Sequence, residues 1–214
     1  MSLWTVRGRR AAYESEWVNV YLDDVELPGG GRLTHHVLAM PKASVGAVVV
    51  DQDRTLLLWR HRYITGRWGW EVPAGWADAG EDPQDAARRE IEEETGWRAG
   101  HLQPLIDYYP LAGLSTMHYT AYLGTDCTFV RPVEETDEAT RVEWVPLADV
   151  PAHAAAGQIT DGPSLLMLSY YLGMYRQSGG ALPATHPSAR RAPCADRRLL
   201  PTRHFLDEVG HGVG

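Results

Sequence analysis

The stretch from Gly75 to Trp97 constrains this chain more than any other. Asp82 offers a side-chain cap, Pro83 suits the first position of a helix, Gln84 to Glu94 are good helix formers, and Gly96 is placed to end it. Within that helix Glu90, Glu93 and Glu94 stand at i, i+3 and i+4, so the three carboxylates share one face and repel one another. A hard divalent cation with oxygen ligands turns the repulsion into attraction. A solvated acidic face would look the same from the helix alone. The loop before it adds weight to the metal: Gly75 and Gly80 permit a tight backbone path that can bring carbonyls towards an ion held by the carboxylates.

The flanking segments predict a sheet that the helix can cover. Ser44 to Val50 and Thr55 to Arg60 read as two buried strands around an Asp51-Gln52-Asp53 turn. Leu102 to Tyr109, Met117 to Leu123 and Arg141 to Val145 are further strand candidates. Leu147 to Ala156 and Pro163 to Arg176 are helix candidates, the second with an apolar face of Leu165, Leu166, Leu168, Tyr171, Leu172 and Tyr175. Upstream, Val18, Val20 and Leu22 alternate with polar residues, and Val25 and Leu27 continue with the phase shifted. That reads as a bulged strand, turned by Pro28 to Gly31 into a return over Arg32 to Met40. The division is therefore an N-terminal β segment, residues 1–43, a main domain, 44–177, and a tail, 178–214, rich in Gly, Ala, Pro, Arg and His with no core of its own.

Composition narrows the function classes. A net charge of −8 argues against a nucleic-acid partner but not against a phosphorylated small molecule met through a metal. Cys127 and Cys194 have no metal or disulfide spacing. No apolar run approaches the ~20 residues of a membrane span, and Met1 to Arg10 lacks a signal peptide's apolar stretch, so a soluble, cytoplasmic protein is expected.

Gly75, five residues, Glu81, seven residues, then Arg89-Glu90-Ile91-Glu92-Glu93-Glu94-Thr95-Gly96-Trp97 resembles the signature of the Nudix hydrolases at every specified position, with Trp97 bulkier than the usual aliphatic. At background residue frequencies such a match arises by chance on the order of once in ten million chains. Arg60-His61-Arg62-Tyr63 and Trp70-Glu71-Val72-Pro73-Ala74-Gly75 resemble the ADP-ribose pyrophosphatase branch. The resemblance implies an α/β/α sandwich with a mixed β-sheet, preceded by an N-terminal β-hairpin that helps to build a homodimer. It implies Mg2+, with Mn2+ as a substitute, held by Glu90, Glu93, Glu94 and the Ala74 carbonyl, and an Arg89 that orients a neighbouring carboxylate. Arg62, Glu71, Tyr63 and Gly113 would line the substrate site, and Glu135 or Glu138, from the acidic run 134–138, would join the catalytic carboxylates. A surface arginine at a strand end and a solvated acidic loop are the plain alternatives for Arg62 and for that run.

The implied reaction is hydrolysis of ADP-ribose to AMP and ribose 5-phosphate. Pro110-Leu111-Ala112-Gly113 departs from the branch's Ser-Pro-Gly-like turn at Ala112, which leaves a nucleotide sugar, NADH, a dinucleoside polyphosphate or an oxidised nucleotide open as substrate. A non-catalytic ADP-ribose sensor is a further alternative, as is a tail that binds an anionic partner. Of the tryptophans near the box, most suit core or dimer contacts; Tyr63, Trp68 and Tyr109 are the candidates for stacking on a base or a sugar.

Overall fold

The computed structural model describes residues 3–133 and 139–179. Among these residues ten strands and three α-helices follow one another as β1 (Thr5–Tyr13), β2 (Asn19–Glu26), β3 (Arg32–Ala39), β4 (Ser44–Asp51), β5 (Arg54–Arg62), β6 (Arg67–Glu71), β7 (Ala74–Trp76), α1 (Pro83–Thr95), β8 (Trp97–Tyr108), β9 (Tyr119–Phe129), β10 (Ala139–Pro146), α2 (Val150–Ala155) and α3 (Gly162–Tyr170).

The main sheet runs β10-β5-β4-β9-β8, with β6 paired to β5 and β7 to β4. β4 and β9 are parallel and the other pairs antiparallel, so the sheet is mixed. Both faces of β4 are covered, as its unbroken apolar run requires. Val45, Ala47 and Val49 pack with Ala86, Ala87 and Ile91 of α1. Val48 and Val50 pack on the other face with Leu105, Met167 and Leu168, beneath α3. The expected α/β/α sandwich is therefore present, with one apolar cluster under each helical layer.

The N-terminal segment is larger than the expected hairpin. β2 and β3 form that hairpin in unbroken register from Asn19↔Ala39 to Glu26↔Arg32. β1 then adds a third strand along β2, where the residue pattern predicts no element. The bulge expected in β2 is not there: the register shifts fall in β1, between Val6 and Gly8 and between Ala11 and Tyr13, while β2 runs without an extra residue. β1 carries no apolar alternation because it is almost wholly exposed. Ion pairs tie it on instead, with Arg9 forked onto Asp23 at 2.7 Å twice and Arg7 on Glu26 at 2.7 Å. The apparent phase shift in β2 is an inward Asp23, 3% exposed, which Arg9 neutralises.

The sheet also gains two short strands, β6 and β7, that the residue pattern does not predict. Both helices after β10 are shorter than their sequence windows. Pro151 is tolerated only in a first turn, which sets the start of α2 at Val150. α3 ends at Tyr170 and gives way to a π turn over Tyr171–Tyr175, closed by the Arg176 N–H on the Tyr171 carbonyl at 2.9 Å. Met167, Leu168 and Tyr171 face the core, while Leu165 and Leu166 of the predicted apolar face stay exposed. No helix among the described residues is long and apolar enough to cross a membrane.

α1 has the caps its sequence predicts. Asp82 accepts the Gln84 N–H at 2.8 Å, Pro83 opens the helix, and Gly96 sits at φ 73° with its N–H on the Glu92 carbonyl at 2.9 Å. A Cβ at Gly96 would also run into the Arg131 carbonyl, which is backbone and cannot step aside. Gly96→Ala is therefore expected to cost about 2 kcal/mol, from left-handed strain plus displaced backbone, and to lower the melting temperature by about 4–8 °C. An unchanged thermal melt would contradict this.

Candidate active site

α1 presents its carboxylates to the backbone of β7 and to the ends of β5 and β6. Glu94 lies nearly buried against the strand. It accepts the Ala74 N–H at 2.9 Å and is gripped by the Arg60 guanidinium. Burial pushes the Glu94 carboxyl pKa up, and the Arg60 charge, the Arg60 hydrogen bond and the Ala74 N–H oppose that shift. Glu90 rests directly on Gly75: a Cβ there would occupy the space of its carboxylate. The glycine that opens the motif is thus a steric requirement of the helix carboxylate.

Arg89 connects the loop to the helix. Its Nε and Nη2 fork onto Glu81 at 3.1 and 3.0 Å, Nη2 donates to the Trp76 carbonyl at 2.9 Å, and Nη1 donates to Glu90 at 2.8 Å and Glu93 at 2.9 Å. The Glu81 bond, with those to Glu90 and Glu93, raises the arginine's pKa, and the same contact lowers that of Glu81. Glu93 is the most exposed of the three helix carboxylates, at 52% of its side chain.

A run of alternating charge leads away from this helix. Arg60, 4% exposed, stands between Glu94 and Glu71, with Glu71 at 3.9 Å. Glu71 in turn receives Arg62 in a fork at 3.0 and 2.6 Å, the contact that chiefly raises the Arg62 pKa. Arg62 and Glu71 open onto a cleft of about 440 Å3. Its other walls are Thr65, Arg67, Thr160, Asp161 and two glycines. The loop before α3 holds that wall in place. The Val72 N–H donates to the buried Ser164 hydroxyl at 3.1 Å, Ser164 donates to Asp161 at 2.7 Å, and the Trp70 N–H donates to the Gln158 carbonyl at 2.7 Å.

The structure thus gathers Glu90, Glu93, Glu94, Arg89 and Ala74 at one place, and Arg62 and Glu71 beside them. It does not gather the rest. Tyr63 is 83% exposed in the β5–β6 turn and does not line the cleft. Gly113 lies in the β8–β9 turn, where its carbonyl meets His35 of β3 at 3.1 Å. Glu135 and Glu138 lie outside the described residues. Trp68 stacks on Trp59 at 6.4 Å, and Tyr109 sits 4.8 Å from His118, so both rings are engaged within the chain. Trp70 and Trp97 are core and half-buried contacts, edge-on to Trp59 and Trp144 respectively. Arg60, Ser164 and Asp161 join this arrangement although the residue pattern gives none of them a role, Arg60 only opening the quoted motif. Arg60 has a local signal, sharing the Arg62 face at i+2, whereas Ser164 meets Val72 only through the fold.

The residues suit a divalent cation in one respect and not in another. Oxygen donors on one helical face, pressed against strand backbone by a steric glycine, are the chemistry that Mg2+ prefers. Among the described residues, however, no three His, Cys, Asp or Glu side chains close on one point that could enclose an ion unaided. Mg2+ ordinarily takes one or two carboxylates and leaves the remaining positions to substrate phosphate and water, so an incomplete protein set fits it.

Comparison with known proteins agrees with this geometry. A family model described as the NUDIX domain matches residues 40–164, and one described as the nucleoside diphosphate sugar hydrolase N-terminal domain matches residues 4–38. The chain is 36% identical to a CMP-5'-(N-acetyl-N-hydroxy-3-aminopropyl)phosphonate hydrolase of Streptomyces rubellomurinus, over 83% of this chain and 87% of that one. It is 34% identical to an ADP-ribose pyrophosphatase of Mycobacterium tuberculosis, over 65% and 69% respectively. A crystal structure of an ADP compounds hydrolase has the same fold, with a TM-score of 0.73 at 18% identity, covering 83% of this chain and 97% of its own. The chain is a Nudix hydrolase, of the branch that includes the ADP-ribose pyrophosphatases.

Proposed function

We propose that this enzyme hydrolyses the phosphoanhydride bond of a nucleoside 5′-diphosphate conjugate, with ADP-ribose as the first candidate and AMP and ribose 5-phosphate as its products. The observation that carries the reading is the seating of Glu90 on Gly75 and of Glu94 on the Ala74 N–H, which sets two helix carboxylates against one strand backbone.

Glu90, Glu93 and Glu94, with the Ala74 carbonyl, would hold Mg2+, or Mn2+ in its place. A bound divalent cation supplies neutralisation of phosphoryl charge and a water of lowered pKa. The chain's own residues do the rest. Arg89 fixes Glu90 and Glu93 in rotamer, leaving their outer oxygens for ligands. Glu93, half exposed and paired among the described residues with Arg89, takes the proton of the attacking water, with Glu135 and Glu138 as further candidates for the same step. Arg62, already forked onto Glu71, orients the substrate's phosphates through its remaining donor capacity. Tyr63 and Gly113 become substrate contacts only if a second chain or the neighbouring turn closes over them. Trp4, Val6, Tyr13 and Trp17 are exposed in and beside the N-terminal sheet, an apolar surface that supports a homodimer.

The relative from Streptomyces favours a second reading, a CMP conjugate of a phosphonate, since it matches more of this chain than the ADP-ribose pyrophosphatase does. The box carboxylates and their partners are all present, which speaks against the sensor alternative. The test is product release from ADP-ribose, nucleotide sugars, a CMP phosphonate, NADH, dinucleoside polyphosphates and nucleoside triphosphates, with Mg2+ and with excess chelator. We expect nucleoside monophosphate from a conjugate, lost on chelation and restored by Mg2+. Turnover that survives chelation, or of triphosphates alone, would refute the proposal.

A further inference from the structure

The cleft beside Arg62 and Glu71 has a charge that the reaction itself does not use. On the β5–β6 hairpin Arg62 and Arg67 are directly opposed. Like charges in that position are destabilising unless something anionic separates them. Glu71 answers Arg62, but Arg67 has no ion pair among the described residues. Asp161, across the cleft, does not answer it either. Both of its hydrogen bonds, from the Ser164 N–H and hydroxyl, are taken at Oδ2, which leaves Oδ1 as an acceptor.

The lining also says which part of a substrate belongs here. No aromatic ring contributes, so there is no face on which a base could stack. Hydroxyls from Thr65 and Thr160, the Asp161 carboxylate and the Arg67 guanidinium are groups that recognise a polar, hydroxylated, charged moiety instead. Position agrees. Arg60, which grips Glu94, is paired with Gly69, and Arg67 lies two residues farther along β6, about 7 Å beyond it. A phosphate held at the α1 carboxylates would leave Arg67 to whatever extends past the diphosphate.

Resting on the hydrolase reading above, we propose that this cleft takes the non-base half of the substrate, and that Arg67 determines specificity by pairing with an anionic group on that half, a carboxylate, phosphate or phosphonate. Arg67 is a specificity residue and not part of the hydrolytic machinery.

The decisive comparison uses ADP-glucose and the same compound oxidised to the C6 carboxylate, so that base, ribose and diphosphate are constant. Turnover is measured with the intact wild-type enzyme, Arg67→Gln and Arg67→Lys, and binding by calorimetry without Mg2+. We expect wild type to favour the carboxylate by about tenfold in KM, with kcat nearly equal, as a charge-assisted hydrogen bond supplies. Arg67→Gln should erase that preference while leaving the KM for ADP-glucose within about twofold, and Arg67→Lys should restore part of it. Absence of a preference in wild type, or a preference unchanged in Arg67→Gln, would overturn the inference. Binding that favours the carboxylate without turnover of either compound, joined to no turnover of any conjugate in the panel above, would overturn the hydrolase reading and support this one.

Discussion

Replacing Glu94 with glutamine is expected to lower kcat by about 10²–10³-fold while the far-UV circular dichroism stays unchanged. Glu94 is the best-anchored carboxylate of α1, between the Arg60 guanidinium and the Ala74 N–H. Both partners are donors. A glutamine side chain offers one oxygen and one N–H2, so one of the two contacts becomes donor against donor. The negative charge that would help to hold a hard cation is lost as well. Arg60 keeps Glu71 at 3.9 Å, so the buried cation is not left without an anion, and the stability loss should stay near 1–3 kcal/mol. The Mg2+ concentration for half-maximal rate should rise in parallel with the fall in kcat. Near-wild-type turnover at the wild-type Mg2+ requirement would remove Glu94 from the proposed ligand set.

Gly75→Ala should separate activity from stability more sharply. The added Cβ claims the space of the Glu90 carboxylate. That group ends a flexible side chain, so it can swing away at a rotamer cost on the order of 1 kcal/mol, and the fold survives. What it cannot do is swing away and keep its seat on the strand backbone at position 75 and its bond to Arg89 at 2.8 Å. A misplaced carboxylate at a phosphoryl-transfer site costs far more in rate than in stability. We expect a 10- to 100-fold loss in kcat/KM with a melting temperature within about 3 °C of wild type. Gly173→Ala, where an added Cβ meets nothing, is the matched control and should behave as wild type. Equal activity in the two variants would show that the Gly75–Glu90 apposition has no part in turnover.

Much of this site is legible in the residues themselves, because its information is local. The caps of α1 and the spacing of Glu90, Glu93 and Glu94 are set by i, i+3 and i+4 geometry, which any helix obeys. β4 announces itself by an apolar run too continuous for a one-sided strand, and both of its faces are indeed covered. β1 does not, because an exposed strand held by Arg7 and Arg9 carries no apolar period. β6 and β7 escape sequence patterning for a related reason: their pairings are short and depend on β5 and β4 being alongside. Trp68 is likewise opaque in the sequence: Trp59, nine residues earlier, is brought beneath it by the β5–β6 pairing, a contact no local spacing reveals.

The sequence alone therefore determined the family, the helix α1 and the face on which its carboxylates lie, since each is written in spacings of a few residues. Only the tertiary structure decided what those carboxylates rest on. Arg60 becomes a buried counter-charge through contact with a residue 34 positions away, and Ser164 steadies the entry to the box through one 92 positions away. A buried charge or hydroxyl takes its role from the partner that satisfies it, and chain folding, not local spacing, supplies that partner.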